Sequence, residues 1–402
     1  MSLIRHSFVT GDDTFSVDAF FRWRTAPPVT RFDSKQIYDN APLFWDDAVV
    51  SGGGTGSSHS TLNAATTLSV SNTTAGHRLR QTWERFNYQP GKSQLIIWTA
   101  ADMATTSGNT KRCGLGSQTN GLFFQHSSGV PAFGRRSAND GSPEIITRDM
   151  WTDPMDGSGK SKINIDFTKM MIFFCDFEWL GAGRVRIGVI IGGTAYVLYE
   201  FKHSGLRSNV YMSDPNLPLF YEIINDGSGP ADTFDHICST VITEGGTPLL
   251  GITRSSNNVI TPVSVTTGSY HILDGIRLKS THLGASVIME NVSLINTGNA
   301  DFLWGLYLKP TTITGTPTWS NQTDSAVMTA VGNGATASGG YMINSAYVKG
   351  SSSTGSIVAP VPSSRNIGSS IAGTPEELFL IARVLSGGAT NMLGSINWRE
   401  LS

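Results

Sequence analysis

The sequence predicts an all-β protein made of two antiparallel, jelly-roll-like β-sandwich domains preceded by an extended N-terminal arm. Glycine is abundant, at 44 of 402 residues, and charged residues make up only 15% of the chain. Short apolar runs alternate with stretches of Ser, Thr, Gly and Asn, and long amphipathic helical patterns are nearly absent. This pattern is typical of sheet-on-sheet domains. A chain of this length can bury a large core, and two domains fit it better than one.

The densest apolar region spans residues 164–223 and contains three strand-like runs with almost no linker between them. The runs cover residues 170–179, 184–191 and 195–201, and glycine-rich breaks separate them. Apolar runs bounded by glycine indicate strands, and short breaks between such runs indicate hairpins. We therefore predict a three-stranded antiparallel meander at the centre of the first sandwich.

Charges in this region alternate with bulky side chains and predict one structural ion pair. Arg184 and Arg186 share one face of their strand by period 2. Asp176 and Glu178 likewise share one face of the preceding strand. If residues 181–183 form a three-residue loop, Glu178 lies opposite Arg186, and a cross-strand ion pair is expected on a partly solvent-exposed surface.

Net charge and cysteine usage exclude several classes of partner. The net charge of −2 leaves no basic footprint for nucleic acid. The three cysteines are widely spaced and fit no metal template, so we expect reduced thiols, no metal and no cofactor. The first ten residues lack the apolar core of a signal peptide, and no apolar run reaches membrane-spanning length. Synthesis and folding in a cytoplasm are expected.

The predicted arm covers residues 1–50 and is rich in aromatic and arginine side chains. Such side chains must pack on a surface, either on the chain's own downstream sandwich or on another subunit. Residues 51–64 read as a flexible Gly/Ser spacer, which favours docking onto another subunit over packing on the chain's own core. Five side chains are predicted to make that contact, namely Phe20, Arg22, Trp23, Arg24 and Phe32.

Beyond the spacer, residues 65–245 are predicted to form the first sandwich and residues 246–402 the second. The acidic loop at residues 153–159 could hold Ca²⁺ through its carboxylates, but it lacks the ligand spacing of an EF-hand, and an Asx-type turn is favoured. Residues 375–384 could begin a short capped helix, yet the segment FLIARV also fits a strand, and a strand is predicted.

The chemistry-bearing residues predict no enzyme. Asp176 and Glu178 are the one pair that a retaining glycosidase could use, since that reaction needs two nearby carboxyl groups. Arg184 and Arg186 should neutralise both and prevent the raised pKa of a general acid. No G-x-S-x-G, H-E-x-x-H or P-loop pattern occurs in the sequence. Aromatic side chains could stack on sugar rings, but the sequence does not tell which of its nine tryptophans are exposed.

Several motifs occur in a characteristic order along the chain. They are D-A-F-F-R-W-R at 18–24, F-D-S-K at 32–35, Y-Q-P-G-K-S at 88–93, C-D-F-E-W-L-G at 175–181, G-R-V-R at 183–186, N-L-P at 216–218 and I-N-W-R-E at 396–400. With them the chain resembles a family of virion structural proteins of tailed bacteriophages and some large DNA viruses. Phe21 departs from the glycine usual in that family.

The resemblance implies a virion component that is made in the host cytoplasm and binds other virion structural proteins. The first expectation is a tail fibre, spike or appendage protein that docks by its arm and contacts host-surface glycans, as a homotrimer or higher homo-oligomer. The alternative is a capsid decoration, head-fibre or vertex protein. A glycan depolymerase is a distant third.

Overall fold

The computed structural model describes residues 17–19, 22, 26–245, 251–256, 261–350, 357–360 and 366–401. These residues form antiparallel strands and one short 3-10 turn, Arg148–Met150, without any α-helix, so the all-β prediction is confirmed. A helix long and apolar enough to cross a membrane is likewise absent from the described residues. The chain divides into two compact units, Met1–Pro248 (unit 1) and Leu249–Ser402 (unit 2).

Unit 1 contains fifteen of the named strands. They are β1 (Pro28–Lys35), β2 (Trp45–Gly52), β3 (Thr55–Ser60), β4 (Ala65–Val70), β5 (Gly76–Thr82), β6 (Gln94–Ala101), β7 (Asn109–Gly116), β8 (Gly121–Ser127), β9 (Val130–Arg136), β10 (Glu144–Thr147), β11 (Met171–Phe177), β12 (Val185–Ile191), β13 (Thr194–Phe201), β14 (Leu219–Asn225) and β15 (Asp232–Glu244). Sheet A has the order β13-β12-β11-β6-β15-β4-β3, with β1 also paired to β15; sheet B has the order β10-β9-β8-β7-β14-β5-β2.

The core of unit 1 is aromatic and lies between these two sheets. Trp98 of sheet A stacks on Phe173 with ring centroids 5.8 Å apart. Phe173 in turn stacks at 4.5 Å on Phe124 of sheet B. All three side chains are fully buried, and stacked pairs of this kind add to the gain from burial alone.

A polar network is also buried inside unit 1. The Arg80 guanidinium donates to His236 Nδ1 at 3.2 Å and to Gln36 Oε1 at 2.9 Å. The His236 ring stacks on Tyr221 at 4.0 Å, and Ser239 Oγ bonds the Tyr221 hydroxyl at 2.9 Å. Burial lowers the pKa of Arg80 to about 10 and that of His236 well below its usual value. His236 is therefore neutral and can accept the arginine's hydrogen bond.

The predicted meander exists, but its position differs from the prediction. Strands β11, β12 and β13 pair in sequence, and they form one edge of sheet A rather than its centre. The central place belongs to β6, which has a shorter apolar run, and to β15, in which apolar positions are mixed with Thr, Ser and His. Local hydrophobic density therefore located the hairpins without locating the middle of the sheet.

The predicted spacer and much of the predicted arm belong to the sandwich. β1 pairs with β15 along its length, and β2 pairs with β5. Residues 55–60 form β3, which pairs with β4 over six residues. The spacer prediction is therefore wrong at these residues, because a Ser/Thr/Gly strand at a sheet edge has a composition that resembles a linker.

Unit 2 contains the remaining thirteen strands. They are β16 (Ile252–Ser255), β17 (Val263–Val265), β18 (Tyr270–Leu278), β19 (Ser286–Asn296), β20 (Asp301–Leu308), β21 (Thr312–Thr314), β22 (Thr318–Asn321), β23 (Val327–Val331), β24 (Thr336–Ser338), β25 (Tyr341–Val348), β26 (Ile357–Pro360), β27 (Leu378–Ser386) and β28 (Thr390–Leu401). Sheet C has the order β16-β28-β19-β26, with β17 on β28; sheet D has the order β21-β24-β18-β27-β20-β25, with β22 and β23 added beside β18.

The interior of unit 2 is largely apolar, and Asp274 is one of the carboxyl groups buried in it. Trp304 and Trp398 are almost fully buried in the core. Asp274, on β18 of sheet D, accepts a hydrogen bond from the Ile396 amide of sheet C at 3.0 Å and one from the Ser256 hydroxyl. Burial raises its pKa to about 8. The segment 378–386 is strand β27, as predicted.

Candidate functional site

The motifs that are far apart in the sequence meet at one place in unit 1. We call this place the motif junction; it comprises Val17, Asp18, Ala19 and Arg22 of the arm, Gly91 and Ser93 of the Y-Q-P-G-K-S turn, and Asp176, Glu178, Arg184 and Arg186 of the hairpin. The N-L-P motif joins nearby, since Asn216 Oδ1 accepts a hydrogen bond from the Tyr88 amide at 2.9 Å. The sequence predicted the motifs separately and did not predict that they touch.

Within the arm, the Asp18 carboxylate binds Arg22. Asp18 is buried, and its carboxylate accepts hydrogen bonds from the Arg22 amide at 2.8 Å and from Arg22 Nε at 2.7 Å. Arg22 Nη2 then donates to the Gly91 carbonyl at 2.8 Å. The hydrogen bond to Asp18 raises the pKa of the Arg22 guanidinium. The D-x-x-x-R spacing of the arm thus places Asp18 and Arg22 in direct contact.

The hairpin holds the arm through main-chain carbonyls. Arg184 Nε donates to the Ala19 carbonyl at 2.9 Å, and Arg186 Nη2 donates to the Val17 carbonyl at 2.8 Å. The Ala19 amide reaches Ser93 Oγ at 3.4 Å. The described part of the arm therefore packs on its own sandwich, which is the alternative that the sequence had left open.

Arg186 pairs with Asp176, and the predicted pair with Glu178 is wrong. The register sets Asp176 opposite Arg186 and Phe177 opposite Val185, and the two charged groups form a short ion pair. Ser93 Oγ donates to the same carboxylate. The turn contains five residues, between Glu178 and Arg184, rather than the three predicted at 181–183. The register therefore differs from the prediction by two positions, and each side chain stays on its predicted face of the sheet.

Glu178 has a different set of contacts. Its Oε1 accepts a hydrogen bond from the Arg184 amide at 3.0 Å, and burial raises the pKa of its carboxyl group. Gly183 makes this turn feasible, because a Cβ there would lie 2.4 Å from the Glu178 carbonyl oxygen. Asp176 is fully buried and ion-paired, so the two carboxylates do not face a common open space.

The five predicted docking residues lie in different places. Phe20, Trp23 and Arg24 lie outside the described residues. Arg22 belongs to the motif junction, as above. Phe32 is 6% exposed and contacts Trp45 and Phe86 in the core of unit 1. Phe32 is therefore a core residue, and the prediction that it is central to an intermolecular contact is wrong.

The acidic loop at residues 153–159 consists of Asx turns. Asp153 accepts hydrogen bonds from the Met155 amide at 3.0 Å and the Ser161 amide at 2.7 Å, and Asp156 accepts one from the Ser158 amide at 2.9 Å. These bonds lower the pKa of both carboxyl groups. No metal-binding group of three His, Cys, Asp or Glu side chains occurs in the described ranges. The three cysteines are free, as expected.

A polar cleft of 730 Å³ lies at the β3–β4 edge of unit 1. Its lining includes Thr55, Ser69, Ser71, Asp102 and Asp232. Asp232 is held by the buried Lys111 ammonium at 2.7 Å and by Asn109 Nδ2 at 3.2 Å. Its walls are small hydroxyl-bearing side chains rather than aromatic rings.

The outer surface of sheet D presents aromatic rings beside arginines, and sequence reasoning missed it. This surface, called here the aromatic face, consists of Tyr270, Arg277, Tyr307, Trp319 and Arg383. The Tyr270 and Tyr307 rings lie 5.7 Å apart, with the Arg383 guanidinium 5.6 Å from the Tyr270 centroid. The Arg277 guanidinium lies 4.1 Å from the centroid of Trp319. All five side chains are half-buried.

Cross-strand register explains how these residues come together. Gly275 lies opposite Phe379, and a Cβ at Gly275 would come within 2.5 Å of the Phe379 ring. Phe379 therefore lies flat on β18, and Trp319 packs against it at 5.7 Å. Since the rings come from four different strands, no local pattern in the sequence identifies them.

Comparisons with known proteins identify no family. No protein-family profile and no curated protein matches the sequence. Solved structures with similar folds include a β-1,3-1,4-glucanase (lichenase) from a mouse hindgut metagenome, with 12% identity, a TM-score of 0.33, and coverage of 52% of this chain and 97% of that chain. Two others are the carbohydrate recognition domain of Emp47p, with 10% identity, a TM-score of 0.35 and coverage of 55% and 97%, and the CBM2 module of the evolved Dit of Lactobacillus casei BL23 phage J-1, with 8% identity, a TM-score of 0.37 and coverage of 56% and 99%. At these TM-scores the similarities carry no argument about function.

Proposed function

We propose that this protein is a structural component of a tailed-phage virion and that it contacts host-surface glycans through the aromatic face of unit 2. The observation that carries the glycan contact is the grouping of Tyr270, Tyr307 and Trp319 with two arginines on one half-buried face of sheet D. Membership in the virion rests on the ordered motifs of the sequence. Their convergence at the motif junction supports a structural use of these motifs.

Contacts at the motif junction favour structure over catalysis. Glycoside hydrolysis needs one carboxyl group to act as an acid and a second to act on the opposite side of the sugar bond. Asp176 is fully buried and bound to Arg186 and Ser93, so it has no free approach for a sugar. The described arm covers Arg184 and Arg186 with its own carbonyl groups. Asp176, Arg184 and Arg186 therefore stabilise the packing of the arm on the sandwich.

The aromatic face has the composition that a sugar-binding surface needs. The flat, apolar face of a pyranose ring packs on aromatic rings, while its hydroxyl groups need polar partners at the rim. Tyr270 and Tyr307 form an adjacent pair of rings of this kind. Arg383 supplies N–H donors beside them, and its Nε has no hydrogen-bond partner in the described residues. Arg277 is already bound to Glu377 at 2.8 Å and so holds Trp319 in place.

A glycan-binding assay tests this surface directly. Tyr270→Ala and Tyr307→Ala should each weaken binding to host-surface polysaccharide by roughly 5-fold or more, because stacking of one ring on an aromatic side chain is worth about 1 kcal/mol. Tyr38→Ala is the matched control, since Tyr38 is 87% exposed and lies in unit 1. Equal binding by all three variants would contradict the proposal for this face.

Docking onto neighbouring virion proteins is proposed for the part of the arm that contains Phe20, Trp23 and Arg24. Aromatic and arginine side chains are enriched among interface hot spots. A tail fibre or spike is favoured over a capsid decoration or vertex protein, because the aromatic face supplies a surface for host glycans. Immunogold labelling of intact virions distinguishes tail from head, and absence of the protein from purified particles would contradict the virion assignment.

A homotrimer or higher homo-oligomer is part of the same proposal. Sedimentation at micromolar concentration should give a species several times heavier than the 43.1 kDa chain. A single species at the mass of one chain would refute it. A depolymerase is the distant alternative, and release of reducing ends from host polysaccharide that is lost in Glu178→Gln would favour it.

A further inference from the structure

The outer surface of sheet B carries an arginine whose charge is nearly buried and poorly compensated. The Arg136 side chain is 12% exposed. Its guanidinium lies 5.1 Å from the Phe123 ring centroid and 4.8 Å from that of Phe220. Nothing in the described residues accepts a hydrogen bond from Arg136, and its Nε is buried without a partner. A buried guanidinium without hydrogen bonds is costly and calls for an explanation.

The nearest carboxylate cannot supply that explanation. Glu222 lies 3.8 Å from Arg136 Nη1. It is already bound to Arg112 Nη1 at 3.0 Å and to His77 Nε2 at 2.9 Å. The hydrogen bond from His77 and the charges of Arg136 and Arg112 outweigh burial and lower the pKa of Glu222 to about 2. Two guanidinium groups therefore share one carboxylate, which leaves one positive charge in excess.

Backbone geometry leaves room for the Arg136 side chain on the outer surface of sheet B. Arg136 lies opposite Gly121, which lies opposite Gly116. The guanidinium therefore extends across a row of strand positions that have no side chain. Gly134 gives space to the Phe123 ring, since a Cβ there would lie 2.3 Å from it. The Phe123 and Phe220 rings form the apolar surface on which the Arg136 guanidinium lies.

We propose that this surface, defined by His77, Arg112, Phe123, Gln125, Arg136, Phe220 and Glu222, binds the carboxylate of an acidic sugar. A carboxylate takes two parallel N–H donors of a guanidinium, and Arg136 has its donors free. One excess charge matches one carboxylate, and a whole-chain charge of −2 disfavours polyanions such as nucleic acid. Gln125 Oε1 accepts from Arg112 Nε at 2.9 Å, so its amide N–H groups are directed elsewhere and can serve sugar hydroxyls. This site is independent of the aromatic face of unit 2.

Calorimetric titration of the full-length chain with a matched pair of sugars tests the site. Oligosaccharides of glucuronic acid should bind, and the corresponding neutral glucose oligosaccharides should bind at least 10-fold more weakly. Raising NaCl to 0.5 M should weaken the acidic ligand only, since it screens charge. Inorganic sulfate is the third ligand. If it binds as tightly as glucuronate, the surface is a simple anion site and the sugar assignment is overturned.

Arg136→Met keeps the apolar length of the side chain and removes its charge, so it should weaken glucuronate binding at least 10-fold. Arg207→Met is the matched control, because Arg207 forms a pair with Asp140 and is not among the residues that define the surface, and it should bind as the parent does. Protection of the buried Cys113 thiol reports whether each variant folds. If Arg136→Met fails to fold, the test rests on the parent protein alone. The proposal is then overturned if the parent binds glucuronate oligosaccharides no more tightly than glucose oligosaccharides. If Arg136→Met loses glucuronate binding and Tyr270→Ala retains it, the site is distinct from the aromatic face.

Discussion

Replacing Arg186 by methionine should destabilise unit 1 by about 3–5 kcal/mol, the usual cost of removing one partner from a buried ion pair. The side chains of Asp176 and Arg186 are 0% and 4% exposed, so water screens neither charge. The variant removes the guanidinium from the buried Asp176 carboxylate and keeps the neutral Ser93 hydroxyl as a donor to it. It also removes the donor to the Val17 carbonyl, so the arm should loosen.

Double-mutant cycles turn this prediction into a test of the hairpin register. Asp176→Asn and Arg186→Met should be coupled by at least about 1 kcal/mol, because the two groups are in contact. Glu178→Gln and Arg186→Met should add almost independently, and Glu178→Gln alone should cost no more than about 1 kcal/mol. Stronger coupling through Glu178 than through Asp176 would refute the five-residue turn and restore the register expected from the sequence.

Thiol labelling in urea measures the unfolding of unit 1 separately from that of unit 2. All three cysteines lie in unit 1, and Cys113 and Cys175 are fully buried. Burial raises the pKa of both thiols above their usual value, so they react only when the unit opens. Should Arg186→Met cost less than about 1 kcal/mol, the pair would be behaving as an exposed one, and the reasoning from burial would be wrong.

Three further predictions concern pH and packing. Asp274 holds its proton in folded unit 2, where its pKa is about 8, but loses it near pH 4 when unfolded; unit 2 should lose stability as pH rises from about 4 to 8, and thermal melts of Asp274→Asn should lack that slope. His236 has its pKa lowered by burial, whereas the unfolded residue takes a proton near pH 6.5; thiol labelling should show unit 1 weakening as pH falls below about 6.5, and this dependence should be smaller in His236→Gln. Gly134→Ala should destabilise unit 1 by about 1–3 kcal/mol, since its Cβ would meet the Phe123 ring at 2.3 Å, whereas Gly141→Ala, with open space around it, should be neutral in the same urea titration.

Local patterns in the sequence located several of the strands. Hairpins β11–β12–β13 and strand β27 were predicted because period-2 alternation and glycine breaks are properties of a few adjacent residues. The Asx turns at Asp153 and Asp156 were predicted for the same reason, since the side chain bonds the backbone two residues on. The edge strand β3 was missed, because its Ser/Thr/Gly composition is also that of a linker.

Long-range pairing decided the rest. Whether Arg186 meets Asp176 or Glu178 depends on a loop length that differs by two residues, and period 2 fits both registers equally well. Ala19 and Val17 contact Arg184 and Arg186 across 165 and 169 positions of the chain. The aromatic face and the Arg136 surface each take side chains from several strands. The sequence by itself thus determined some of the strands, such as β11–β13 and β27, and the faces of their side chains, because these depend on near neighbours. Only the tertiary structure decided which faces meet, because sheet order and register depend on contacts between residues far apart in the chain.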